Sequence, residues 1–240
     1  AELYGYGPFA GRRNLGIHDP LYCRAVSFYD GQRRAMIIYT DTCTTDDLYA
    51  REMRARIATE FNIEADGIAF VATHTHSAPK LGRGTVGVAW GEPHPEFQET
   101  WKRVVMEVAE AALADEEEIA SVESGAAPLS AKLGVNRVEV DKNVTDPSIR
   151  WAKFRRADGS SKLLLHNHGI HGIAMNLPFH KLVSADWMGA ANHLIKERKL
   201  ADNPLFMLGA CGDINTYTSC YTLKNDTAAK VIGEQYIADL

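Results

Sequence analysis

Ile68-Ala69-Phe70-Val71-Ala72-Thr73-His74-Thr75-His76 decides how this chain is read: five apolar residues run straight into a polar segment holding two histidines one residue apart. A short apolar run bounded by polar residues reads as a buried strand. The pattern recurs. Ala35-Met36-Ile37-Ile38-Tyr39 ends at Thr40-Asp41-Thr42, and Leu163-Leu164-Leu165 runs into His166-Asn167-His168-Gly169-Ile170-His171. Leu205-Phe206-Met207-Leu208 runs into Gly209-Ala210-Cys211-Gly212-Asp213. All four junctions place polar groups directly after a strand.

Helical patterns fall between these strands. Thr44 or Thr45 is the expected cap of a first helix, with Asp46 and Asp47 in its first turn. Leu48, Met53, Ile57 and Phe61 then recur at near-helical spacing until Gly67 closes the unit. From Pro95 the positions Phe97, Trp101, Val104, Val105, Val108 and Ala112 follow the 3.6-residue period, which makes Trp101 a core residue. A third helix is expected over 185–199, and a fourth from 226 that is still running at Leu240. Alternating strands and helices predict an α/β fold with a mostly parallel or mixed central sheet flanked by helices. Short strand-like pieces over 122–154 predict an antiparallel extension. In such sheets ligands gather outside the carboxyl ends of the strands, so the four junctions are expected to share one crevice. No repeat or Pro-rich linker divides the chain, and 1–240 reads as one unit.

Composition excludes several functions. A net charge of -5 over 240 residues offers no basic face for counterion release, so nucleic acid is not an expected partner. No stretch approaches the roughly 18 continuous apolar residues of a membrane span, and no transmembrane segment is expected. Cys23, Cys43, Cys211 and Cys220 are widely spaced with no Cys-x-x-Cys pair, which signals neither a thiolate zinc site nor a disulfide framework. Asn143-Val144-Thr145 and Asn225-Asp226-Thr227 satisfy the glycosylation sequon, a pattern short enough to arise by chance. The opening Ala1-Glu2-Leu3 shows no leader pattern and suits either a cytoplasmic or a processed chain, so compartment stays open. Oligomeric state is equally open.

Five of the nine histidines lie in two clusters, His74/His76 and His166/His168/His171, each following an apolar run. In extended backbone residues i and i+2 face the same side, so His74 and His76 can address a common point. A lone histidine near a strand end is more often a hydrogen-bonded structural residue, but two clusters at strand termini favour a metal site. Zinc at a hydrolytic centre takes three protein ligands and keeps one position for water, whose pKa falls to about 7. His18, His94, His180 and His193 lack this context, and His193 and Trp187 are placed on a helix face. Ser77 has no Gly-x-Ser-x-Gly elbow, and Cys211 is a weak candidate nucleophile in small, apolar surroundings that equally suit a buried structural thiol.

Thr73-His74-Thr75-His76-Ser77-Ala78-Pro79 resembles the Thr-His-Thr-His-Ser-Gly-Pro segment of the neutral, non-lysosomal ceramidase family. Other segments agree in order: Gly16-Ile17-His18 with Arg24-Ala25, Gly134-Val135-Asn136-Arg137, His171-Gly172-Ile173-Ala174-Met175, Ser184-Ala185-Asp186 and Gly212-Asp213. The resemblance implies that His74 and His171 bind Zn2+, that His76 handles protons or orients the transition state, and that Arg137 stabilises charge. It implies hydrolysis of an amide in a small molecule or an N-acylated lipid such as ceramide. It also implies one catalytic domain over 1–240, incomplete at both ends, because the family's glutamate and tyrosine ligands would follow Leu240. Ala78, Gly172 and Ile214-Asn215-Thr216-Tyr217 depart from the family pattern, which puts substrate preference in doubt. The alternatives are a metal-binding but inactive module, part of a larger assembly, or a Cys- or Ser-dependent hydrolase.

Overall fold

The computed structural model describes residues 1–5, 13–82, 93–175, 181–217 and 227–240. Among these the strands are β1 (Gly16–Ile17), β2 (Cys23–Tyr29), β3 (Arg34–Thr40), β4 (Ile68–Ala72), β5 (Ser121–Pro128), β6 (Gly134–Asn136), β7 (Ser148–Arg155), β8 (Ser161–His168), β9 (Leu182–Val183), β10 (Asn203–Leu208) and β11 (Ile214–Thr216). The helices are α1 (Asp47–Phe61), α2 (Pro95–Ala114), α3 (Asp186–Glu197) and α4 (Thr227–Ala238). His180, Cys220 and the Asn225 sequon lie outside the described residues.

The sheet architecture is mixed rather than mostly parallel. A three-stranded sheet runs β2-β3-β4 and a four-stranded sheet runs β10-β8-β7-β5. Each contains one parallel pair, β3–β4 in the first and β8–β10 in the second, joined through helix-bearing connections. The remaining pairs, β2–β3, β5–β7 and β7–β8, are antiparallel, which is the extension expected over 122–154. Edge strands β4 and β10 touch, so the two parallel pairs send their carboxyl ends to one neighbourhood. Two short ladders complete that end: β1 beside β9, and β6 antiparallel to β11.

Local chemistry explains the helices and corrects their caps. α1 begins at neither threonine: the Asp46 carboxylate accepts the amides of Leu48 at 3.0 Å and Tyr49 at 3.4 Å, satisfying two otherwise orphaned donors. Its buried stripe is Ala50, Met53 and Ile57, whereas Leu48 is 76% exposed and takes no part in the core. α2 buries Trp101, Val105 and Ala109 behind a proline in its first turn. These two stripes meet Met36, Ile38 and Ile68 of the first sheet to form one core. α3 and α4 pack on each other, and their Trp187, Ile195, Ile232 and Tyr236 join Leu164 and Phe206 of the second sheet in another. Each fully buried side chain of this kind contributes roughly 1.5–3 kcal/mol. α4 ends at Ala238, two residues before the last residue of the chain. No described helix is long and apolar enough to cross a membrane.

Candidate metal centre

The carboxyl ends of β3, β4, β8 and β10 do converge. Past β3 and β4, the Thr73 amide donates to Thr40 O at 3.1 Å and the His74 amide to Thr42 O at 3.0 Å. Past β8 and β10, the Gly209 amide donates to His168 O and the His171 amide to Ile214 O. The His76 amide joins the two halves by donating to Gly172 O at 2.9 Å, beside the Thr75–Gly172 bridge.

The doublet reaches a common point by a different backbone from the extended one its spacing suggests. His74 sits at φ 66 in the left-handed region, which costs on the order of 1–2 kcal/mol for a residue with a Cβ. The hydrogen bonds on either side hold it there. Its ring still meets that of His76, with centroids 4.8 Å apart, and His171 closes the triangle at 4.9 Å from His74 and 5.4 Å from His76. His76 and His171 are buried, and His74 is partly so.

Hydrogen-bond partners fix which nitrogen faces inward. His74 Nδ1 donates to Cys43 O at 2.6 Å and His171 Nδ1 donates to Ile214 O at 3.1 Å, which makes Nε2 the unprotonated nitrogen of each ring. A backbone carbonyl behind the ring is the usual partner of a metal-binding imidazole, because it sets both tautomer and direction. Both rings are held neutral. Burial depresses His74 first, against the raising effect of the Cys43 carbonyl. Burial and the neighbouring His74 push His171 down to about 4. Neutral imidazole is the form that binds a metal ion. His76 Nε2 lies 3.2 Å from His74 Nε2; with the His74 proton committed to Nδ1, His76 supplies the N–H of that contact. These donors fit a zinc ion.

Two thiols stand in the same place. Cys43, His74 and His76 offer ligand atoms all within 4.8 Å of one another, and so do His74, His171 and Cys211. Arg137 is exposed, and its Nη2 donates to Gly212 O at 2.7 Å while its amide donates to Asp213 O. Its positive charge helps depress both His74 and His171. Asn136 beside it donates to the Asp213 carboxylate at 2.8 Å, which locks the β6–β11 ladder carrying the arginine.

No model of a known protein family and no curated protein matches this sequence. Solved structures do match. Neutral ceramidase from Pseudomonas aeruginosa superposes with a TM-score of 0.87 at 17% identity, over 99% of this chain and 41% of that one. A ceramidase complexed with C2 gives 0.84 at 18% identity, over 99% and 40%. The chain has the ceramidase fold. It spans about two fifths of the length of either structure.

Within this ceramidase fold, the segments picked out by resemblance split into ring-bearing and bracing parts. Thr75 Oγ1 donates to Ser184 O at 2.8 Å, and the Ser184 amide donates to Ser77 O at 2.9 Å. The Asp186 carboxylate accepts the amides of Ala174, Met175 and Trp187, while Trp187 Nε1 donates to His171 O. The start of α3 therefore braces both histidine segments from behind. His166 and His168 belong to the interior of the molecule. β8 runs three residues beyond Leu165, and alternation turns both rings together into the core. His166 donates to Asn192 Oδ1 at 2.8 Å and accepts from the Tyr236 hydroxyl at 3.0 Å, and His168 Nδ1 lies 3.0 Å from Ser148 O.

Composition arguments passed over Cys43, and Cys211 entered only as a weak nucleophile. A signal existed: both follow strands at two of the four polar junctions. Cys23, Cys43 and Cys211 are free thiols, and burial raises the pKa of all three. Ser77 Oγ is buried with no hydrogen-bond partner among the described residues. The cavity of about 1000 Å³ lined by Phe28, Arg34, Glu116, Phe154, Leu163 and Asn203 lies at the amino ends of the parallel strands, away from the imidazoles.

Proposed function

We propose that this chain carries the histidine part of a zinc-dependent hydrolase that cleaves an amide, with N-acylated lipids such as ceramide as the substrate class. The observation that carries the reading is the pair His74 and His171, each with Nδ1 tied to a backbone carbonyl and with ring centroids 4.9 Å apart. Both matched structures are ceramidases, and this supports the substrate class.

In this reading His74 and His171 hold the ion through Nε2. Zinc, when bound, supplies Lewis acidity that polarises a carbonyl and makes hydroxide accessible near neutral pH. His76 meets His74 at the same lone pair, so its Nε2 is positioned to donate a proton to, or accept one from, a group at the reacting centre. Arg137 directs a fixed positive charge to the same region. A donor aimed at a developing oxyanion acts on charge that the ground-state amide lacks. Burial raises the pKa of both thiols, which makes the Cys- or Ser-dependent alternative the weaker one.

The test is to load the purified chain with zinc and assay fatty-acid release from ceramide and from a short N-acyl amide. Assays with chelator and with a thiol-blocking reagent run in parallel. Hydrolysis that chelation abolishes and restored zinc recovers is the expected result. Stoichiometric zinc without turnover would instead make the chain a metal-binding part of a larger catalytic unit. Activity that resists chelation and yields to the thiol reagent would replace the metal by Cys211 or Cys43.

A further inference from the structure

We infer that Asp19 is a positioning residue of the candidate metal centre, fixing Ser184 and through it the placement of His74 against His171; the inference rests on the zinc reading above. Asp19 follows β1, is partly exposed, and turns its carboxylate to the start of α3. Oδ1 accepts the Ala185 amide at 2.7 Å, and Oδ2 accepts both the Ser184 hydroxyl at 2.5 Å and the His18 Nδ1 proton at 2.6 Å. α3 has Ala185 at its N-cap, which offers no capping side chain, and Asp19 supplies the acceptor from a distant part of the sequence. The amino end of a helix also favours a negative charge.

Ser184 is fully buried, and both histidine segments are tied to it. Its carbonyl accepts Thr75 Oγ1, between His74 and His76, and its amide donates to Ser77 O. Its hydroxyl accepts the Asp186 amide at 2.9 Å while donating to Asp19. Asp186, held at φ 59, accepts the amides of Ala174 and Met175 just past His171, and Trp187 Nε1 donates to His171 O. A hydroxyl that donates and accepts at once has one orientation. Without the Asp19 acceptor it is free to rotate, and the post shared by the two segments loosens. Partners of this outer kind orient metal-binding side chains, and their loss typically lowers metal affinity about 10–100-fold.

The test pairs zinc titrations with long-range proton–nitrogen NMR of the imidazoles in the zinc-free chain. Asp19→Ala should weaken zinc binding by roughly tenfold or more and displace the His74 and His171 ring nitrogens, leaving His166, which bonds elsewhere, unmoved. Asp19→Asn, nearly the same shape, keeps an acceptor for the Ala185 amide and should lose less. Ile57→Val, in the core of the first sheet, lowers stability away from this network and should change neither readout. In a cycle with Ser184→Ala the double variant should bind zinc no more weakly than the worse single one, because Asp19 acts through Ser184. Should Asp19→Ala or Ser184→Ala fail to fold, the Asp19→Asn spectra decide alone. Unmoved rings and unchanged affinity in the Asp19 variants, with zinc still lost in His171→Ala, would overturn the role of Asp19 and leave the zinc reading intact. Additive losses in the cycle would overturn it as well. A parent chain that binds no zinc would remove the zinc reading and this inference with it.

Discussion

At the scale of single residues, His74 accepts a costly left-handed backbone and receives in exchange a ring aimed at two others. Strain of that kind persists only where surrounding bonds over-determine it, and it concentrates at functional sites. Arg137 has no such structural burden, being exposed and held through the Gly212 carbonyl. Arg137→Ala should therefore leave zinc binding and stability nearly unchanged and lower kcat for amide hydrolysis by about 10²–10³, the usual cost of a lost oxyanion donor. Steady-state kinetics beside a metal titration check it, and an unchanged kcat would remove Arg137 from the chemistry. His166 illustrates the opposite assignment. Its burial between Tyr236 and Asn192 pushes its pKa down to about 4, below the value near 6.5 of an unfolded histidine. The fold thus holds it neutral, and the unfolded chain takes up its proton first as pH falls. Its contribution is complete above pH ~6.5 and is lost on the way down to pH ~4, a change on the order of 3 kcal/mol. Urea unfolding across that window should show stability falling with pH, and His166→Gln should flatten the slope; an identical slope in the variant would contradict the assignment.

At the scale of elements, the strands ending at Thr40, Ala72 and Leu208 were legible to within a residue or two because their apolar runs have no polar interruption. β8 was not, since its last turns of the pleat carry His166 and His168, polar residues that a hydrophobicity pattern assigns to a loop. The same misreading grouped these two rings with His171 as one cluster after the strand. The Asp46 cap was missed for a related reason: threonine and aspartate are both good caps, and only the geometry says which side chain reaches the amides. Gly172 is another element-scale feature, the residue where the loops after β4 and β8 touch. A Cβ there would stand 2.8 Å from Thr75 Cα and 2.7 Å from His74 O, backbone atoms with nowhere to move. Gly172→Ala should cost about 1–3 kcal/mol by overpacking and weaken zinc binding by separating His74 from His171. Chemical denaturation together with a zinc titration measures both, and loss of stability with unchanged zinc affinity would show that this contact does not align the rings. Gly5 backs His76 in the same way, at φ 113 with space for a Cβ only 2.6 Å from His76 Nδ1.

At the scale of the whole molecule, two cores on two mixed sheets meet where β4 touches β10, and the candidate site lies past the carboxyl ends of those strands. Strand–helix alternation made the α/β class and the end carrying the site legible. The split into separate sheets was not, because strand pairing depends on contacts distant in sequence that no local period encodes. The thiols and the carbonyls behind His74 and His171 were hidden likewise: a backbone oxygen has no sequence signature, and two cysteines 168 positions apart show no spacing motif. A ligand that binds only the folded chain stabilises it by about 2.7 kcal/mol at a hundredfold excess over its dissociation constant. For a domain of this size that is roughly 5–10 °C in Tm, so zinc should raise the melting temperature by that amount and a chelator should reverse it. A Tm indifferent to zinc would argue against a site formed by folding.

The central claim is that one zinc ion sits between the Nε2 atoms of His74 and His171, and zinc-edge anomalous diffraction from crystals of the zinc-loaded chain tests it most directly. The account predicts a single strong anomalous peak about 2.0–2.1 Å from both nitrogens. A peak elsewhere, or none with the two rings turned apart, would contradict it.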